Sequence, residues 1–243
     1  PHKIQQRIEN QYCITIVGDD CTKETKLWNN FHSRCDQPAI EKADGHKIWY
    51  KNGQLHRDHD FPAIEYADGL KAWYKNDKRH RDRDLPAIES ADGSKSWHKN
   101  GKLHRDHDQP AVDCADGHKE WWKNGQRHRD HNNLPAVVWA DGTKMWYKND
   151  QLQRDHDLPV IEHADGTITW GKNKNELHRD NDLPAVIWTD GTKAWYKNDQ
   201  LHRNHDLPAI EHGNGTKEWW KNDQKHRDDD FPAIERVDGT KEW

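Results

Sequence analysis

One pattern of apolar and polar positions recurs along most of the chain. A proline returns every 24 or 25 residues from Pro38 onward, and a tryptophan keeps the same spacing. The copy at residues 49–72 reads W-Y-K-N-G-Q-L-H-R-D-H-D-F-P-A-I-E-Y-A-D-G-L-K-A. A fixed period of this length predicts a repeat protein. Eight full copies begin at Trp49, Trp73, Trp97, Trp121, Trp146, Trp170, Trp195 and Trp219, after half a copy.

Turn signals divide each copy into short segments. Asp68-Gly69 is one such signal, and Asn52-Gly53 or Asn76-Asp77 is the other. Asn, Asp and Gly accept positive φ at low cost, so both signals favour two-residue type I′ turns. The four to six residues between them predict short β-strands, because proline and glycine in every copy exclude a long helix.

These turns also predict a register. Ile64 is expected opposite Trp73, Trp73 opposite His80, and Lys71 opposite Asp82. One face then holds the β-branched residue, the tryptophan and the first histidine, whereas the other holds alanine, the second aromatic residue and usually leucine. The β-branched position is filled in every copy, so it is predicted to be buried. Each copy is expected to form a three-stranded meander.

The predicted fold class is all-β, an elongated and solenoid-like array of antiparallel hairpin repeats. A single copy of 24 residues buries too little apolar area to fold alone, so the copies must stack on one another. Residues 1–37 lack the repeat and are expected to form an N-terminal β cap, and residues 38–243 form the array. Within the cap, Ile14 to Val17 predicts a strand, closed by a turn at Gly18-Asp19-Asp20.

The motif W-Y-K-N-G-Q-L-H-R-D-H-D-x-P-A-I-E-x-A-D-G resembles the tandem aromatic β-hairpin repeats often described as MORN-like. Such repeats are common in large DNA viruses, phages and bacteria. The resemblance covers about residues 38–243 and implies a β array used for association, with no catalytic residues to transfer. It also makes a virion component an expectation. The Y-x-G-x-W core of MORN repeats proper is missing here.

Composition excludes several classes of protein. The net charge is −5 with 33% charged residues, so nucleic acid is not the expected partner. The sequence has no run of about 18 apolar residues, so no transmembrane helix is predicted. It also has no basic segment followed by an apolar one, so no secretion signal is predicted. An intracellular, cytoplasmic location is therefore expected. The low apolar content of 31% is offset by 14 tryptophans, which favour an ordered chain.

The H-R-D-H-D segment has the most chemical character, since it holds 12 of the 19 histidines. Histidine and aspartate bind metals, so the segment also suggests a metal site. The weak metal candidates are His56, His59, His104, His107, His128 and His131. An arginine stands in every full copy and opposes a bound cation, at Arg57, Arg81, Arg105, Arg129, Arg154, Arg179, Arg203 and Arg227. No metal is therefore expected.

We interpret the phased tryptophans and these arginines as a structural ladder. Arginine suits bidentate pairing with a carboxylate, either Asp60 of its own copy or the aspartate of a neighbouring copy. The first histidine is predicted to pack on the tryptophan. The aromatic residues are expected in the core. The alternative is that they bind sugars or choline.

The position two residues after the β-branched one differs from copy to copy. Its variation predicts that it points outward and forms an interaction face, with Tyr66, Trp139, His163, Trp188, His212 and Arg236. Trp139 and Trp188 are expected to be at least partly exposed, as anchors at an interface are.

The sequence predicts a non-catalytic structural or protein-interaction scaffold. Its partner is expected to be another protein or a second copy, with no cofactor and no small-molecule ligand. No Gly-rich phosphate loop and no H-E-x-x-H motif is present, and a repeat spaces identical residues evenly, whereas an active site needs different residues to converge. The alternative is a ligand-binding module that uses the aromatic residues for carbohydrate or choline, or the histidines and aspartates for several metals.

Overall fold

The structure is a computed structural model that describes residues 6–10, 13–17, 23–27, 30–31, 33, 36–130, 133–172 and 176–243. All regular secondary structure among them is β-strand, so the prediction of an all-β repeat protein is confirmed. Two compact units, Pro1–Gly125 and Gln126–Trp243, are distinguished by their internal contacts. The predicted turn at Gly18-Asp19-Asp20 lies outside the described residues.

Four strands precede the repeats, at Gln6–Asn10, Cys13–Val17, Lys23–Leu27 and Asn30–Phe31. Consecutive strands of this group pair antiparallel, and Lys23–Leu27 also pairs with Ile40–Glu41, the first strand of the repeats. The N-terminal strands therefore continue directly into the repeat sheet of the first unit.

Each repeat adds two short strands to an antiparallel meander. In the first unit these are Ile40–Glu41, Lys47–Ile48, Ile64–Glu65, Lys71–Ala72, Ile88–Glu89, Lys95–Ser96, Val112–Asp113 and Lys119–Glu120. In the second unit they are Val137–Val138, Lys144–Met145, Ile161–Glu162, Ile168–Thr169, Val186–Ile187, Lys193–Ala194, Ile210–Glu211, Lys217–Glu218, Ile234–Glu235 and Lys241–Glu242. Neighbours in each series pair with each other, so a repeat spans two strand spacings.

Two further strands of each repeat form a separate hairpin. In the first unit the strands are Tyr50–Lys51, Gln54–Leu55, Tyr74–Lys75, Lys78–Arg79, His98–Lys99, Lys102–Leu103 and Trp122–Lys123. In the second they are Gln126–Arg127, Tyr147–Lys148, Gln151–Leu152, Gly171–Lys172, Glu176–Leu177, Tyr196–Lys197, Gln200–Leu201, Trp220–Lys221 and Gln224–Lys225. The predicted three-stranded meander is thus wrong, because a repeat divides its strands between two sheets.

The two turns of a repeat differ. Asn76 and Asp77 have φ of 50° and 64°, which confirms the type I′ turn and places Tyr74 opposite Arg79. At the other turn only Gly69 has positive φ, 90°, and its N–H donates to the Tyr66 carbonyl at 3.0 Å. This is the longer hairpin loop built on a type I turn, in which glycine supplies the left-handed residue.

The longer loop shifts the register by one residue from the prediction. Ile64 lies opposite Ala72 rather than Trp73, and Glu65 lies opposite Lys71. The Trp73 N–H instead donates to the carbonyl of Ala87 in the next repeat, at 2.8 Å.

The predicted ion pair is wrong for a different reason. The Asn76-Asp77 hairpin has the predicted register, but its strands are only Tyr74–Lys75 and Lys78–Arg79, and Lys71 lies in the other sheet. There Lys71 has Glu65 and Glu89 as its cross-strand neighbours and not Asp82. The lysine paired with Asp82 is Lys75, with Nζ 3.3 Å from Oδ2.

Alanine and tryptophan make most of the core. The alanine after the proline is fully buried in nearly every repeat, and the phased tryptophans from Trp49 to Trp219 are at most 9% exposed. The β-branched residue is buried at Ile64, Val137, Val186 and Ile234 but only half-buried elsewhere, so its predicted burial holds in part. Burial is therefore most uniform at the alanine and tryptophan positions.

Candidate interaction surfaces

In most repeats a stacked arginine and the aspartate of the preceding repeat lock the ladder tryptophan in place. At Trp146 the aspartate is replaced by Asn133, whose Oδ1 accepts from Arg154 Nη2 at 2.9 Å. The Arg81 guanidinium carbon lies 3.9 Å from the centre of the Trp73 ring. The Trp73 indole N–H donates to the Asp60 carbonyl at 2.9 Å, while Arg81 Nε and Nη2 donate to the Asp60 carboxylate at 2.8 and 3.1 Å. Stacking recurs at Trp49–Arg57, Trp97–Arg105, Trp146–Arg154, Trp170–Arg179, Trp195–Arg203 and Trp219–Arg227.

This lock joins successive repeats. Of the two sequence alternatives, the arginine pairs with the aspartate of the neighbouring copy, as Arg57 does with Asp36 and Arg227 with Asp206. The arginine hydrogen bond is the main reason that the pKa values of Asp36 and Asp206 lie below their usual range. The side chain that stacks on the tryptophan is this arginine, and packing of the first histidine against the tryptophan stays a prediction.

The remaining donors of the arginine are also used. Arg81 Nη1 donates to the Pro86 carbonyl at 3.3 Å and to Glu89 Oε1 at 2.9 Å. Arg129 likewise donates to the Pro135 carbonyl at 3.1 Å. The constant cations therefore hold the repeats together, and their guanidinium groups are already paired.

The first histidine of each H-R-D segment forms a second joint between repeats. His178 Nδ1 accepts the backbone N–H of Asn198 at 3.1 Å, and its Nε2 lies 2.9 Å from Asp180 Oδ1. This network assigns the proton of the neutral ring to Nε2. The same backbone bond is made by Asn76 to His56, Asn100 to His80, Asn124 to His104, Asn149 to His128 and Asn222 to His202.

Removal of the acceptor is expected to weaken these joints. His178→Leu takes away the ring nitrogen that accepts the Asn198 N–H. Loss of one hydrogen bond, about 1 kcal/mol, predicts that protection of the Asn198 amide against hydrogen exchange falls roughly 5- to 10-fold relative to wild type.

The matched variant is His178→Gln. Glutamine occupies this position naturally at Gln153, so the substitution suits the repeat. Its side chain keeps a hydrogen-bond acceptor. Protection of the Asn198 amide should then stay close to that of wild type, and an equal loss in the two variants would contradict the joint.

The metal candidates are not brought together. His56, His104 and His128 take part in the joints just described, whereas His59 and His107 stand in left-handed turns with φ of 61°. Over the described ranges, no three His, Cys, Asp or Glu side chains are grouped so as to hold a metal ion. His131 lies outside the described residues.

Open grooves lie between the H-R-D segments of successive repeats. They measure about 440 Å³ at residues 56–83, 260 Å³ at 80–107, 280 Å³ at 178–205 and 90 Å³ at 202–228. Their walls include the paired arginines, aspartates and histidines of the locks and joints. Their lining is nearly constant, because the same positions of the H-R-D segment recur in each groove.

Within each unit, the variable positions lie on one face of the sheet. Trp139 and Trp188 are 46% and 37% exposed, Arg236 is exposed, and Tyr66, His163 and His212 are half-exposed. Several contact the residue six positions later: Trp139 Nε1 to Met145 Sδ at 3.5 Å, His163 Nε2 to Thr169 Oγ1 at 3.2 Å, His212 Nε2 to Glu218 Oε1 at 2.9 Å and Arg236 Nη2 to Glu242 Oε1 at 2.6 Å.

Those contacts reveal a second variable position that the sequence prediction missed. It precedes the ladder tryptophan and reads Ile48, Ala72, Ser96, Glu120, Met145, Thr169, Ala194, Glu218 and Glu242. The second aromatic lies on the same face, since the Trp220 indole donates to Glu218 Oε2 at 3.0 Å. Variation between copies is the sequence signal from which this position could have been predicted. We call the face formed by these three positions the variable face.

These features define the chain as an all-β repeat protein with constant interlocking residues and a variable face. No protein-family model matches the chain, and no curated protein is significantly similar to it in sequence. A search of the described residues finds no helix of the length and apolarity that crossing a membrane requires.

Proposed function

We propose that the protein is a non-catalytic scaffold that binds another protein through the variable face. The observation that carries this proposal is the division of labour within a repeat. The constant Trp, Arg, Asp and His residues bind one another between repeats, whereas the position two residues after the β-branched one differs between copies and is exposed or half-exposed in every copy. Trp139 and Trp188 are the large apolar side chains exposed there, at 46% and 37%.

The spacing of these two tryptophans suits a protein partner. Four strand spacings separate Trp139 from Trp188, which is about 19 Å at ~4.8 Å per strand. His163 occupies the same position in the repeat between them and is half-exposed. A row of aromatic, imidazole and aromatic groups with a step of roughly 10 Å spans several side chains of a partner, and exposed tryptophans commonly anchor such interfaces.

The chemistry of the variable face supports binding rather than catalysis. Cys114, a free thiol at a variable position, is half-buried. Burial, reinforced by nearby Asp116, raises the pKa of this thiol. Catalytic thiols show the opposite shift, because the thiolate is the nucleophile. Similarity of the motif to MORN-like repeats, which serve association, supports the same proposal, and association with a virion remains part of it.

A photo-crosslinking amino acid placed at position 139 or 188 tests this function. We expect discrete protein adducts in an extract of the source cells from both sites, and none of these adducts from the exposed hairpin residue Asn149. Unlabelled wild-type protein should compete for the adducts, whereas the Trp139→Ala/Trp188→Ala variant should not. Absence of adducts, or the same adducts from position 149, would overturn the proposal.

A further inference from the structure

The opposite face of the sheet carries alternating charges. In the second unit the residues on it follow the order of the strands and read Val138, Lys144, Glu162, Ile168, Ile187, Lys193, Glu211, Lys217, Glu235 and Lys241. We call this surface the charged face. The lysines on it are exposed and the glutamates are half-exposed, so it is accessible.

An apolar pair interrupts this alternation. Ile168 and Ile187 are direct cross-strand partners, whereas Lys71 and Glu89 fill the equivalent places in the first unit. Among the described strands of the second unit, these two are the sole neighbours on the charged face that both lack a charge. Both side chains are half-buried, so part of each is left to solvent.

The charges around the isoleucine pair are arranged with opposite sign on its two sides. On the Ile168 side, the next two strands of the sheet carry Glu162 and then Lys144. On the Ile187 side, the next two strands carry Lys193 and then Glu211. A two-fold rotation about a line parallel to the strands, midway between the isoleucines, therefore places each charge opposite its complement.

We propose that the charged face of the second unit binds a second copy of this chain about that two-fold axis. Ile168 then faces the partner's Ile187, Glu162 faces the partner's Lys193, and Lys144 faces the partner's Glu211. The interface is isologous, as in most homodimers. A two-fold axis in the plane of the interface but perpendicular to the strands would instead place each residue opposite the same residue of the partner. Like charges would then face each other. Because this surface is not the variable face, this proposal and the proposed function fail or succeed independently.

Two carboxylates of the interface are fixed before a partner arrives. Arg154 Nη1 holds Glu162 Oε1 at 2.9 Å, and Arg203 Nη1 holds Glu211 Oε1 at 3.1 Å. Lys144 Nζ lies 3.7 Å from Glu162 Oε2 in its own chain. At this distance the ammonium group can still turn to the partner's Glu211. Such positioning lowers the entropy lost on binding.

The complex is expected to be weak. Six strands extend about 24 Å at ~4.8 Å per spacing, and each strand is short. The area is well below the ~800 Å² per partner of a stable interface, so half-association near 100 µM is a reasonable order of magnitude. Because the outer contacts are exposed ion pairs, 0.5 M NaCl should weaken it further.

Sedimentation equilibrium of the full chain from about 10 to 500 µM tests the dimer. Lys193→Glu creates two repulsive contacts with Glu162 by symmetry and should raise the dissociation constant at least 10-fold. Ile168→Lys, which restores the lysine of other repeats and so suits the fold, should do the same. Lys217→Glu, outside the six strands, is the control and should have no effect. A monomer at all concentrations, or equal effects of Lys193→Glu and Lys217→Glu, would overturn the proposal.

The register has its own test. The double swap Glu162→Lys/Lys193→Glu should return the dissociation constant to within about threefold of wild type. Since Glu162 also binds Arg154, circular dichroism must show that this variant folds. Independently, with the four native cysteines changed to serine, a mixture of Ile168→Cys and Ile187→Cys chains should form disulfide dimers faster than either chain alone. Equal rates in all three samples would contradict the two-fold arrangement.

Discussion

Replacing Trp195 by alanine is expected to lower the free energy of unfolding of the second unit by about 3–5 kcal/mol. The side chain is 6% exposed, lies 3.8 Å beneath the Arg203 guanidinium and donates to the Asp182 carbonyl at 2.9 Å. Its removal leaves a cavity and takes away the surface on which Arg203 is positioned to bind Asp182. Urea unfolding followed by far-UV circular dichroism measures the loss.

The matched control is Trp188→Ala. This tryptophan lies seven positions earlier in the chain, is 37% exposed and belongs to the variable face. Because Trp188 is 37% exposed whereas Trp195 is 6% exposed, we expect a smaller loss, of at most about 1 kcal/mol. Similar losses for the two variants would show that the lock does not carry the stability of the repeat.

Stability is also expected to fall between pH 6.5 and 4 because of His98. Burial, with a smaller effect of the Arg79 charge, lowers the pKa of His98 to about 4 from its usual value near 6.5. The ring is 9% exposed, and Ser96 Oγ lies 3.1 Å from its Nε2. Between these pH values the unfolded chain binds a proton that the folded protein does not, so the stability from this group is complete above pH 6.5 and lost toward pH 4.

His98→Tyr isolates this effect, since tyrosine occupies the same position at Tyr74, Tyr147 and Tyr196. The full shift corresponds to about 3 kcal/mol, and partial solvation of the ring reduces this to about 1–2 kcal/mol. We expect the difference in unfolding free energy between variant and wild type to grow by that amount from pH 7 to 4.5. Aspartates with lowered pKa values affect both proteins alike, so parallel pH profiles would contradict the assignment.

The locks explain why catalytic-looking residues are so frequent in this chain. An H-R-D-H-D segment suggests a metal site or an acid–base pair when it is considered alone. In the structure its arginine and histidine reach neighbouring repeats, as Arg81 reaches Asp60 and the Asn100 N–H reaches His80. Each repeat lacks a core of its own, so its polar residues join it to the next. The positions that vary are not needed for these joints and are the ones that we propose bind a partner.

The sequence by itself determined the repeat, its β-strands, the type I′ turn and the variable position, because a fixed period, Asn-Gly or Asn-Asp pairs and differences between copies are local signals. It could also state that an arginine would pair with an aspartate, but not with which copy. A one-residue difference in loop length, which the letters around Asp68-Gly69 do not reveal, moved Ile64 from opposite Trp73 to opposite Ala72. Strand register depends on that loop, and every cross-strand contact depends on the register.

Only the tertiary structure decided which residues share a face. The Arg81–Asp60 pair, the His80 joint and the charge order around Ile168 and Ile187 arise from groups in neighbouring repeats. Their distances in sequence, about 21 residues for the Arg81–Asp60 pair, give no local signal. Contacts of this kind are set by how one repeat packs on the next, since hydrogen bonds and buried rings select a single stacking geometry from many that the same composition would allow.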